Sequence, residues 1–393
     1  MYLSIFKREY IYSIMRFCKK CLLPDTKPDL IFYNNVCAAC INYEKRKQID
    51  WDKRKEELIK ILDKYRSKDK SNWDCIIPIS GGKDSTYQVI RIKELGFNPL
   101  CVVVTTCHLT PIGRKNIDNI KNLNVDVLEF TNKRDVRKKL NAYCLKEIGD
   151  ISWPEHVSIF TIPVRVAVNY NIPLIIWGEC SQNEYGGPAA SSDNNILNRR
   201  WLEEFGGLIG LRVDDILELT DIARKDAISY VYPNDDDIQR VGVTGIFLGY
   251  YIPWSGLTNS IISQCHGFST SELIVEGSPS NYENLDNYQT GIHDYFKYLK
   301  FGFDRNIDIV STLIRRGILT REDGIMCIKH LEGKFPWKRL GKSIDEILNY
   351  IGVTVEEFSE LCDEHTNKDI FKTDENGNLI KREDNSPIRL YNP

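Results

Sequence analysis

Residues 74–85 read Asp-Cys-Ile-Ile-Pro-Ile-Ser-Gly-Gly-Lys-Asp-Ser. The apolar run at 75–79 is short and continuous, which is typical of a buried parallel strand. Ser80-Gly-Gly82 forms a tight turn, and apolar positions at helical spacing predict a helix from about Asp84 onward. A strand, a glycine turn and a helix N-terminus together favour an anion, because the glycines expose backbone N–H groups and the helix dipole stabilises negative charge.

The same turn supplies side chains that suit a phosphate ligand. Ser80 and Ser85 provide hydroxyl donors, and Lys83 provides a positive charge. Asp84 would repel bare phosphate, but its carboxylate can hold Mg²⁺, which bridges phosphate oxygens. The loop is not a Walker A loop, because Asp84 rather than Ser or Thr follows the lysine and the glycine spacing differs. We therefore predict a phosphate site that works with magnesium.

Alternating strands and helices continue beyond this loop. The pattern predicts strands at 100–106, 125–130 and 172–177, and helices at 112–122, 133–146 and 156–170. This alternation indicates an α/β fold with a doubly wound parallel sheet, whose ligands bind at the carboxyl ends of the strands. We expect Ser80–Ser85, Thr105–Cys107 and Gly178–Glu184 to surround one crevice. Glu179 and Glu184 would lie near the phosphates, where they could bind Mg²⁺ or orient ammonia or the substrate.

Four cysteines form a separate N-terminal motif. They follow the spacing Cys-x2-Cys-x15-Cys-x2-Cys and are Cys18, Cys21, Cys37 and Cys40. Two such knuckles complete a tetrahedral thiolate site, so we predict a structural zinc ribbon. Four unrelated thiols, two disulfides and an iron–sulfur cluster are the alternatives.

Composition narrows the class of protein. The chain has 393 residues, with 52 basic and 55 acidic side chains for a net charge of −3, which argues against a dominant nucleic-acid face. No apolar run approaches membrane-spanning length, and Lys7, Arg8 and Glu9 interrupt the N-terminal apolar residues. We therefore expect a cytoplasmic protein with neither a nucleic-acid nor a membrane partner.

The patterns divide the chain into four parts. We expect an extension of unclear role at 1–14, the zinc ribbon at 15–50, a phosphate-loop domain at 51–235, and a mostly helical, substrate-side region at 236–393. The polar segment Ser67-Lys-Asp-Lys-Ser-Asn72 has the composition of a linker, so we expect it to mark a domain boundary.

The Ser80–Ser85 hexapeptide resembles the PP-loop of the N-type ATP pyrophosphatases, which include GMP, NAD and asparagine synthetases and tRNA-thiolating enzymes. The resemblance implies that ATP is cleaved to AMP and pyrophosphate. It implies the following ATP-binding residues: Ser80, Gly81, Gly82, Lys83, Asp84, Ser85, Thr105 and Gly178. Asp84, Lys83 and Glu179 become the expected catalytic residues, with Asp84 as the Mg²⁺ ligand.

Further stretches resemble the N-acetyl sugar amidotransferase family. They are Trp153-Pro-Glu-His-Val-Ser-Ile-Phe160, Ile172-Pro-Leu-Ile-Ile-Trp-Gly-Glu179, Leu248-Gly-Tyr-Tyr-Ile-Pro-Trp254, Val275-Glu-Gly-Ser278, Asn281-Tyr-Glu-Asn-Leu-Asp-Asn287 and Gln289-Thr-Gly-Ile-His-Asp-Tyr-Phe-Lys297. Members of the family act in lipopolysaccharide O-antigen synthesis and in pseudaminic or legionaminic acid synthesis. The resemblance implies an AMP-forming carbon–nitrogen ligase that adenylates a sugar acetamido group and replaces its oxygen with ammonia-derived nitrogen.

The substrate side is rich in aromatic and imidazole groups, which suit the alternating C–H and O–H faces of a sugar. The candidate substrate-binding residues are His156, Asn183, Glu184, Tyr185, Trp254, Tyr282 and His293. The expected substrate is a nucleotide-activated or related N-acetyl sugar. No glutaminase region remains once the other parts are placed, so we expect a separate glutaminase subunit, a channel protein or free ammonia to supply nitrogen.

Two other functions remain open. A PP-loop tRNA sulfur-transferase would need a basic RNA face and catalytic cysteines near the loop, where Cys107 and Cys180 are the candidates. A zinc-ribbon binding module with an inactive nucleotide fold would show no turnover of ATP to AMP.

Overall fold

The structure is a computed structural model that describes residues 15–179, 196–197, 211–272 and 275–393. The strands in chain order are β1 (Phe32–Tyr33), β2 (Val36–Cys37), β3 (Cys75–Ile79), β4 (Pro99–Val104), β5 (Asp126–Phe130), β6 (Leu174–Trp177), β7 (Ile196–Leu197), β8 (Thr244–Phe247), β9 (Lys338–Arg339) and β10 (Lys342–Ser343). The α-helices described are α1 (Ala38–Arg46), α2 (Trp51–Tyr65), α3 (Lys83–Glu94), α4 (Pro111–Lys121), α5 (Arg134–Ile148), α6 (Trp153–Tyr170), α7 (Val213–Leu217), α8 (Asp235–Val241), α9 (Leu248–Tyr251), α10 (Gly256–Cys265), α11 (Thr290–Phe301), α12 (Arg305–Arg315), α13 (Arg321–Leu331), α14 (Ile344–Asn349) and α15 (Val355–Glu364).

The central sheet has the strand order β5-β4-β3-β6-β8-β7. The first five strands are parallel, and β7 pairs antiparallel with β8. The connections run in one direction from β3 to β5 and then return to β6 on the other side of β3. A doubly wound sheet opens a crevice at the carboxyl ends of the two strands where the order reverses, here β3 and β6. The predicted α/β fold with a parallel sheet is confirmed.

Both faces of the sheet are covered, which explains why its strands are continuous apolar runs. On one face, Ile77 and Val103 pack with residues of α2, α3 and α4. On the other face, Ile76 and Val102 pack with residues of α6. Alternate residues of each strand therefore belong to different core clusters, as the two-residue period of a strand requires.

The sheet extends beyond the boundary that we predicted at residue 235. Strand β8 (Thr244–Phe247) pairs with β6 along its full length, from Leu174 opposite Thr244 to Trp177 opposite Phe247. The sequence pattern missed this strand because its four residues, Thr-Gly-Ile-Phe, include a glycine and give too short an apolar run. The other predicted domain limits stay predictions.

The C-terminal part is helical around its own core, which includes Phe296, Leu348 and Phe358. Helix α13 spans Arg321–Leu331, and Thr354 caps α15 by accepting a hydrogen bond from Glu357 N. Within the described residues, no helix combines the length and apolar character needed to cross a bilayer.

Candidate functional site

The loop between β3 and α3 has a geometry that requires glycine. Gly81 has a φ of +81°, and a Cβ placed there would lie 2.7 Å from the backbone N of Ile117 in α4. Gly82 is the N-cap of α3. The hydroxyl of Ser80 accepts a hydrogen bond from Gly82 N, and that of Ser85 donates to Gly82 O at 3.0 Å. The two serines thus hold the loop's own backbone, so that the first N–H groups of α3 are presented to a ligand.

Lys83 lies at the centre of an ion-pair cluster. Its Nζ is 2.7 Å from Asp84 Oδ2 and 2.8 Å from Glu283 Oε1, and the residue is only 6% exposed. Burial alone would lower the pKa of Lys83, but the two carboxylates raise it above its ordinary value. The lysine is therefore a permanent cation, positioned by one acid of the loop and one from the C-terminal part of the chain.

Helix α10 holds this cluster from the side opposite the sheet. Asn259 Nδ2 donates to Asp84 Oδ1 at 2.7 Å, and Ser263 Oγ donates to Lys83 O at 2.7 Å. Both residues are fully buried. Neither residue was a candidate from the sequence, because polar residues inside a helical pattern are usually solvent-facing.

A pocket opens above the loop, and residues distant in sequence line it. Besides residues 80–85 of the loop, two residues of α4 and several residues from other segments line the pocket. They are Gly113, Asn116, Glu179, Phe268, Tyr282, Glu283, Asn284, Leu285, Asp286 and Arg305. Glu179 follows β6, so it faces the loop across the point where the strand order reverses. The expected position of Glu179 at this crevice agrees with the structure.

Arg305 is fixed by a bidentate ion pair. Its Nε and Nη2 donate to the two oxygens of Asp294 at 2.9 and 3.0 Å. Because Asp294 is buried, the guanidinium is held rigidly at the wall of the pocket. Burial raises the pKa of Asp286, another wall residue. Neither Arg305 nor Asp286 was among our candidates, although Asp286 lies within the Asn281–Asn287 stretch.

Several predicted site residues lie elsewhere. Trp254 is 5% exposed and packs edge-on against Tyr87 beneath Gly178, so its ring presents no open face to a sugar. The lack of a side chain at Gly178 makes room for this ring, at 3.3 Å from a notional Cβ. Thr105 directly follows β4, and its hydroxyl forms a hydrogen bond with that of Thr131, which directly follows β5. Asn183, Glu184 and Tyr185 lie outside the described residues, as does Cys180.

Three of the substrate candidates face polar surroundings. Tyr282 lines the pocket, and its ring centroid is 5.7 Å from Lys83 Nζ. His293 Nδ1 is 2.8 Å from Asp150 Oδ1, and His156 meets the His293 ring edge-on at 5.3 Å. Burial lowers the pKa of His156, and its Nδ1 has no hydrogen-bond partner among the described residues. The two histidines thus form a pair behind Arg305, which is within electrostatic reach of His156.

The four N-terminal cysteines converge as the spacing predicts. Their sulfur atoms all lie within 4.8 Å of one another, with Cys18 and Cys40 at 3.8 Å and Cys21 and Cys37 at 3.5 Å. Zn–S bonds of about 2.3 Å in a tetrahedron place the sulfurs about 3.8 Å apart, whereas a disulfide needs about 2 Å. The donor set therefore fits a zinc ion, and all four cysteines are buried, which leaves no open position for chemistry.

The C-terminal part matches a known family. Residues 276–383 match the domain described as "LPS biosynthesis protein WbpG-like, C-terminal domain". A second similarity is to the "Uncharacterized protein MJ1599" of Methanocaldococcus jannaschii, at 30% identity over 115 residues. That alignment covers 28% of this chain and 41% of the relative, so the chain matches less than half of that protein's length.

Solved structures with a similar arrangement include two synthetases. NMN synthetase from Francisella tularensis aligns with 49% of this chain and 94% of its own, at 12% identity and a TM-score of 0.26. NH3-dependent NAD synthetase from Campylobacter jejuni aligns with 57% of this chain and 100% of its own, at 12% identity and a TM-score of 0.27. TM-scores this low support no inference about fold or function.

The assignment of the fold rests on the strand order and on the geometry of the loop after β3, and not on these structural similarities. The matched domain begins at residue 276 and supplies five successive wall residues of the pocket, from Tyr282 to Asp286, together with Arg305. The sheet, the loop after β3 and the residues that match the WbpG-like C-terminal domain thus meet at one pocket.

Proposed function

We propose that the chain is an ATP-dependent amidotransferase that converts an acetamido group of a bacterial surface-glycan sugar into an acetamidino group. One observation supports this most strongly. The wall of the pocket opposite the PP-loop belongs to the WbpG-like domain, so one cavity joins a phosphate-binding loop to a segment of lipopolysaccharide-synthesis type. A reaction between a nucleotide and a sugar needs such a shared cavity, because most of the catalysis lies in positioning the two reactants.

ATP would bind with its phosphates at the N-terminus of α3. The loop N–H groups and the Lys83 ammonium would hold the pyrophosphate end, and Arg305 would face the phosphates from the other wall. Asp84, Glu179 and Asp286 line this pocket, and Asp84 is the expected ligand of Mg²⁺, which prefers carboxylate oxygens. A bound Mg²⁺ would neutralise phosphate charge. In its absence, Lys83 already neutralises Asp84.

The reaction balances without a covalent enzyme intermediate. The acetamido carbonyl oxygen attacks the α-phosphorus of ATP, the bond from phosphorus to pyrophosphate breaks, and an O-adenylated imidate forms. Ammonia nitrogen then bonds to the imidate carbon, AMP leaves with the electron pair of the C–O bond, and a proton is released. Lys83 and Arg305 would stabilise the charge that develops on the phosphate oxygens. Glu179, across the crevice from the loop, would accept the proton from nitrogen.

The substrate candidates Tyr282, His156 and His293 would orient the sugar. Tyr282 lies at the pocket wall, and its ring suits the C–H face of a pyranose. The histidine pair lies deeper and offers His156 Nδ1 to a sugar hydroxyl or amide. The substrate-binding roles of Asn183, Glu184 and Tyr185 remain predictions from the sequence. The pathways also remain predictions: O-antigen synthesis, or pseudaminic or legionaminic acid synthesis.

The tRNA sulfur-transferase alternative needs a reactive thiol near the loop. Cys107 contacts Asn141 and Glu155, and burial together with the Glu155 carboxylate raises the pKa of its thiol well above the ordinary value. A nucleophilic cysteine requires the opposite shift. Cys107 is thus a poor candidate for sulfur transfer, which favours the amidotransferase.

Mass spectrometry tests the proposal. The purified chain is incubated with ATP, Mg²⁺, ammonium and a panel of nucleotide-activated diacetamido sugars. Exchange of oxygen for N–H lowers the mass of the substrate by about one unit, and AMP must appear in equal amount. AMP formation without a mass change would indicate another acceptor, and the absence of both across the panel would contradict the proposal.

A further inference from the structure

A group of basic and aromatic side chains lies beside the pocket and takes no part in the site described above. We call it the basic–aromatic cluster. Arg134 and Lys138 lie in the first turns of α5, and Lys342 lies in the β9–β10 hairpin. The other members are His108 in the loop after β4, Tyr288 just before α11, and Tyr350 directly after α14.

The cations of the cluster lie over aromatic rings. Lys138 Nζ is 4.3 Å and the Arg134 guanidinium 5.4 Å from the centroid of the Tyr350 ring. Lys342 Nζ is 4.5 Å from the centroid of Tyr288. The ring of His108 stacks on Tyr350 with its centroid 4.5 Å away. Three positive charges and two phenol rings therefore form one contiguous group of contacts.

The charge of these cations is not neutralised by ion pairs. Within the described part of the chain, none of Arg134, Lys138 and Lys342 has a carboxylate oxygen within 4 Å. Their neighbours along α5 differ, because Lys133 pairs with Asp226 and Lys139 pairs with Asp221. Glu346 is within electrostatic reach of Lys342, but its carboxylate accepts hydrogen bonds from Ser343 and caps α14.

His108 adds an unsatisfied buried polar atom. The residue is 7% exposed, and its Nδ1 has no hydrogen-bond partner in the part of the chain described. Its Nε2 lies 3.4 Å from Lys342 Nζ. An acceptor role for Nε2 places the proton on Nδ1, so that a buried N–H donor lacks an acceptor. Such a group costs free energy unless a ligand or water satisfies it.

The cluster is close along the chain to one wall of the pocket. Tyr288 N donates to His108 O at 3.2 Å, and Thr110 N donates to Asp286 O at 3.0 Å. Asp286 lines the pocket and is two residues before Tyr288. Two residues of chain span at most about 7 Å, so the backbone of the cluster lies within about one sugar length of the backbone of the pocket wall.

We propose that the basic–aromatic cluster binds a phosphate or diphosphate group attached to the sugar substrate. The cations match the phosphate charge, and the ring faces match a pyranose or a nucleobase. The identity of the ligand as a phosphorylated sugar rests on the proposed function, whereas binding of phosphate to the cluster does not. The acetamido group would enter the pocket at Asp286 while its phosphate remains at Lys138 and Lys342.

Isothermal titration with a nucleoside diphosphate tests the proposal without turnover. The ATP site is first saturated with a non-hydrolysable ATP analogue, so that the probe reports on a second site. We expect one further site whose affinity falls with salt, and a Kd at least ten-fold higher in Lys138→Gln and in Lys342→Gln. Lys139→Gln is the matched control, since Lys139 is the next residue on α5 and pairs with Asp221; its Kd should not change.

The outcomes separate this proposal from that of the reaction. Thermal unfolding of each variant checks that it is folded. If one of the two variants, Lys138→Gln or Lys342→Gln, fails to fold, the Kd of the other is sufficient to test the proposal. No second site, or the same Kd in all three variants, would overturn the proposal. Binding of inorganic pyrophosphate as tight as that of the nucleoside diphosphate would assign recognition to the phosphates alone. If the chain binds the probe as expected but amidinates no sugar, phosphate binding by the basic–aromatic cluster is supported and the proposed reaction is contradicted.

Discussion

Lys83 shows how one residue links the two halves of the molecule. Its ammonium pairs with Asp84 of the loop and with Glu283, which is 200 positions later in the chain. A buried lysine without these carboxylates would be costly, because burial disfavours the charged form. The arrangement keeps the cation in place for phosphate before any nucleotide arrives.

Asp84→Ala should abolish AMP formation. The change removes the expected Mg²⁺ ligand and the carboxylate that positions Lys83, so we expect a loss of at least a hundred-fold in turnover. Stability should change little, because Glu283 still pairs with Lys83. Asp52→Ala is the control, since Asp52 also lies in the first turn of a helix. Normal AMP formation by Asp84→Ala would exclude its role.

Gly81→Ala should destabilise the protein by more than the cost of placing alanine at a positive φ, because the new Cβ also clashes with backbone. The new Cβ would meet the Ile117 backbone at 2.7 Å, and backbone cannot move aside as a side chain can. Gly96→Ala is matched, because Gly96 has a φ of +78° and nothing within 4 Å of a Cβ. We expect the Gly96 variant to lose about 1 kcal/mol in the free energy of unfolding and the Gly81 variant clearly more. Equal losses by chemical denaturation would contradict the steric argument.

His108 should make stability depend on pH. Burial, and then Lys342 and Lys138, lower the pKa of His108 to about 4. Because the folded state binds this proton less readily than the unfolded chain does, the stabilisation is complete above about pH 6.5 and is lost as pH falls towards 4. The loss amounts to about 3 kcal/mol across that window.

His108→Gln removes the titrating ring, so its free energy of unfolding should fall less between pH 6.5 and 4 than that of the unmodified chain. Denaturant titrations at several pH values measure the difference. A variant whose pH profile parallels that of the unmodified chain would show that His108 titrates normally.

At the scale of elements, the four-cysteine segment packs against helices of the C-terminal part. The four cysteines and Leu22 pack with Phe303, Ile307 and Val310 of the α12 region. Lys27 Nζ is 2.7 Å from Asp308 Oδ1, and both charges are largely buried. A zinc ion held by these cysteines would therefore fix a surface on which α12 packs, in addition to folding the cysteine segment itself.

Cys37→Ser should remove the zinc and destabilise the helical part. Elemental analysis should give one zinc per chain before the change and none after it, because three thiolates leave the site open. We expect a lower temperature of unfolding, since the core around Ile307 loses its partner. Cys265→Ser is the control, as Cys265 is exposed. Absence of zinc from the unmodified, normally folded chain would refute the assignment.

At the scale of the whole molecule, the chain closes on itself. Residues 15–40 pack on α12 and α13, Glu283 and Arg305 from beyond residue 276 line the pocket at the loop, and Asn259 of α10 donates a hydrogen bond to Asp84. The pocket is consequently complete only when the C-terminal part is docked on the sheet.

The ammonia source is a prediction about the complete protein. We expect glutamine alone not to support turnover by the purified chain, because the described residues contain no evident glutaminase centre. Within them, the adjacent Cys265 and His266 do not form a nucleophile–base pair, since His266 Nδ1 contacts Ile262 O. High ammonium should support turnover, more strongly as pH rises and more free NH₃ is present.

A separate glutaminase subunit should then replace the need for high ammonium. The measurement is release of AMP and glutamate with glutamine as the sole nitrogen donor, with and without the added subunit. Efficient use of glutamine by the chain alone would contradict the partner and direct attention to Cys180 or Cys265 as a nucleophile.

Local sequence patterns were enough to predict the short-range parts of the fold. The apolar run at 75–79, the turn at Ser80–Gly82 and the cysteine spacing each depend on neighbours within a few residues, so their strand, loop and knuckles could be predicted. The alternation of strands and helices was sufficient for the class of sheet.

The tertiary structure alone decided which distant side chains complete the site. Glu283, Asp286 and Arg305 reach the loop from the C-terminal part, and Asn259 reaches it from inside a buried helix. It also placed Trp254 in the core, although the sequence made it a sugar-binding candidate. The physical reason is that packing of separate elements, rather than local periodicity, determines whether an aromatic or polar side chain faces a pocket or a neighbouring helix.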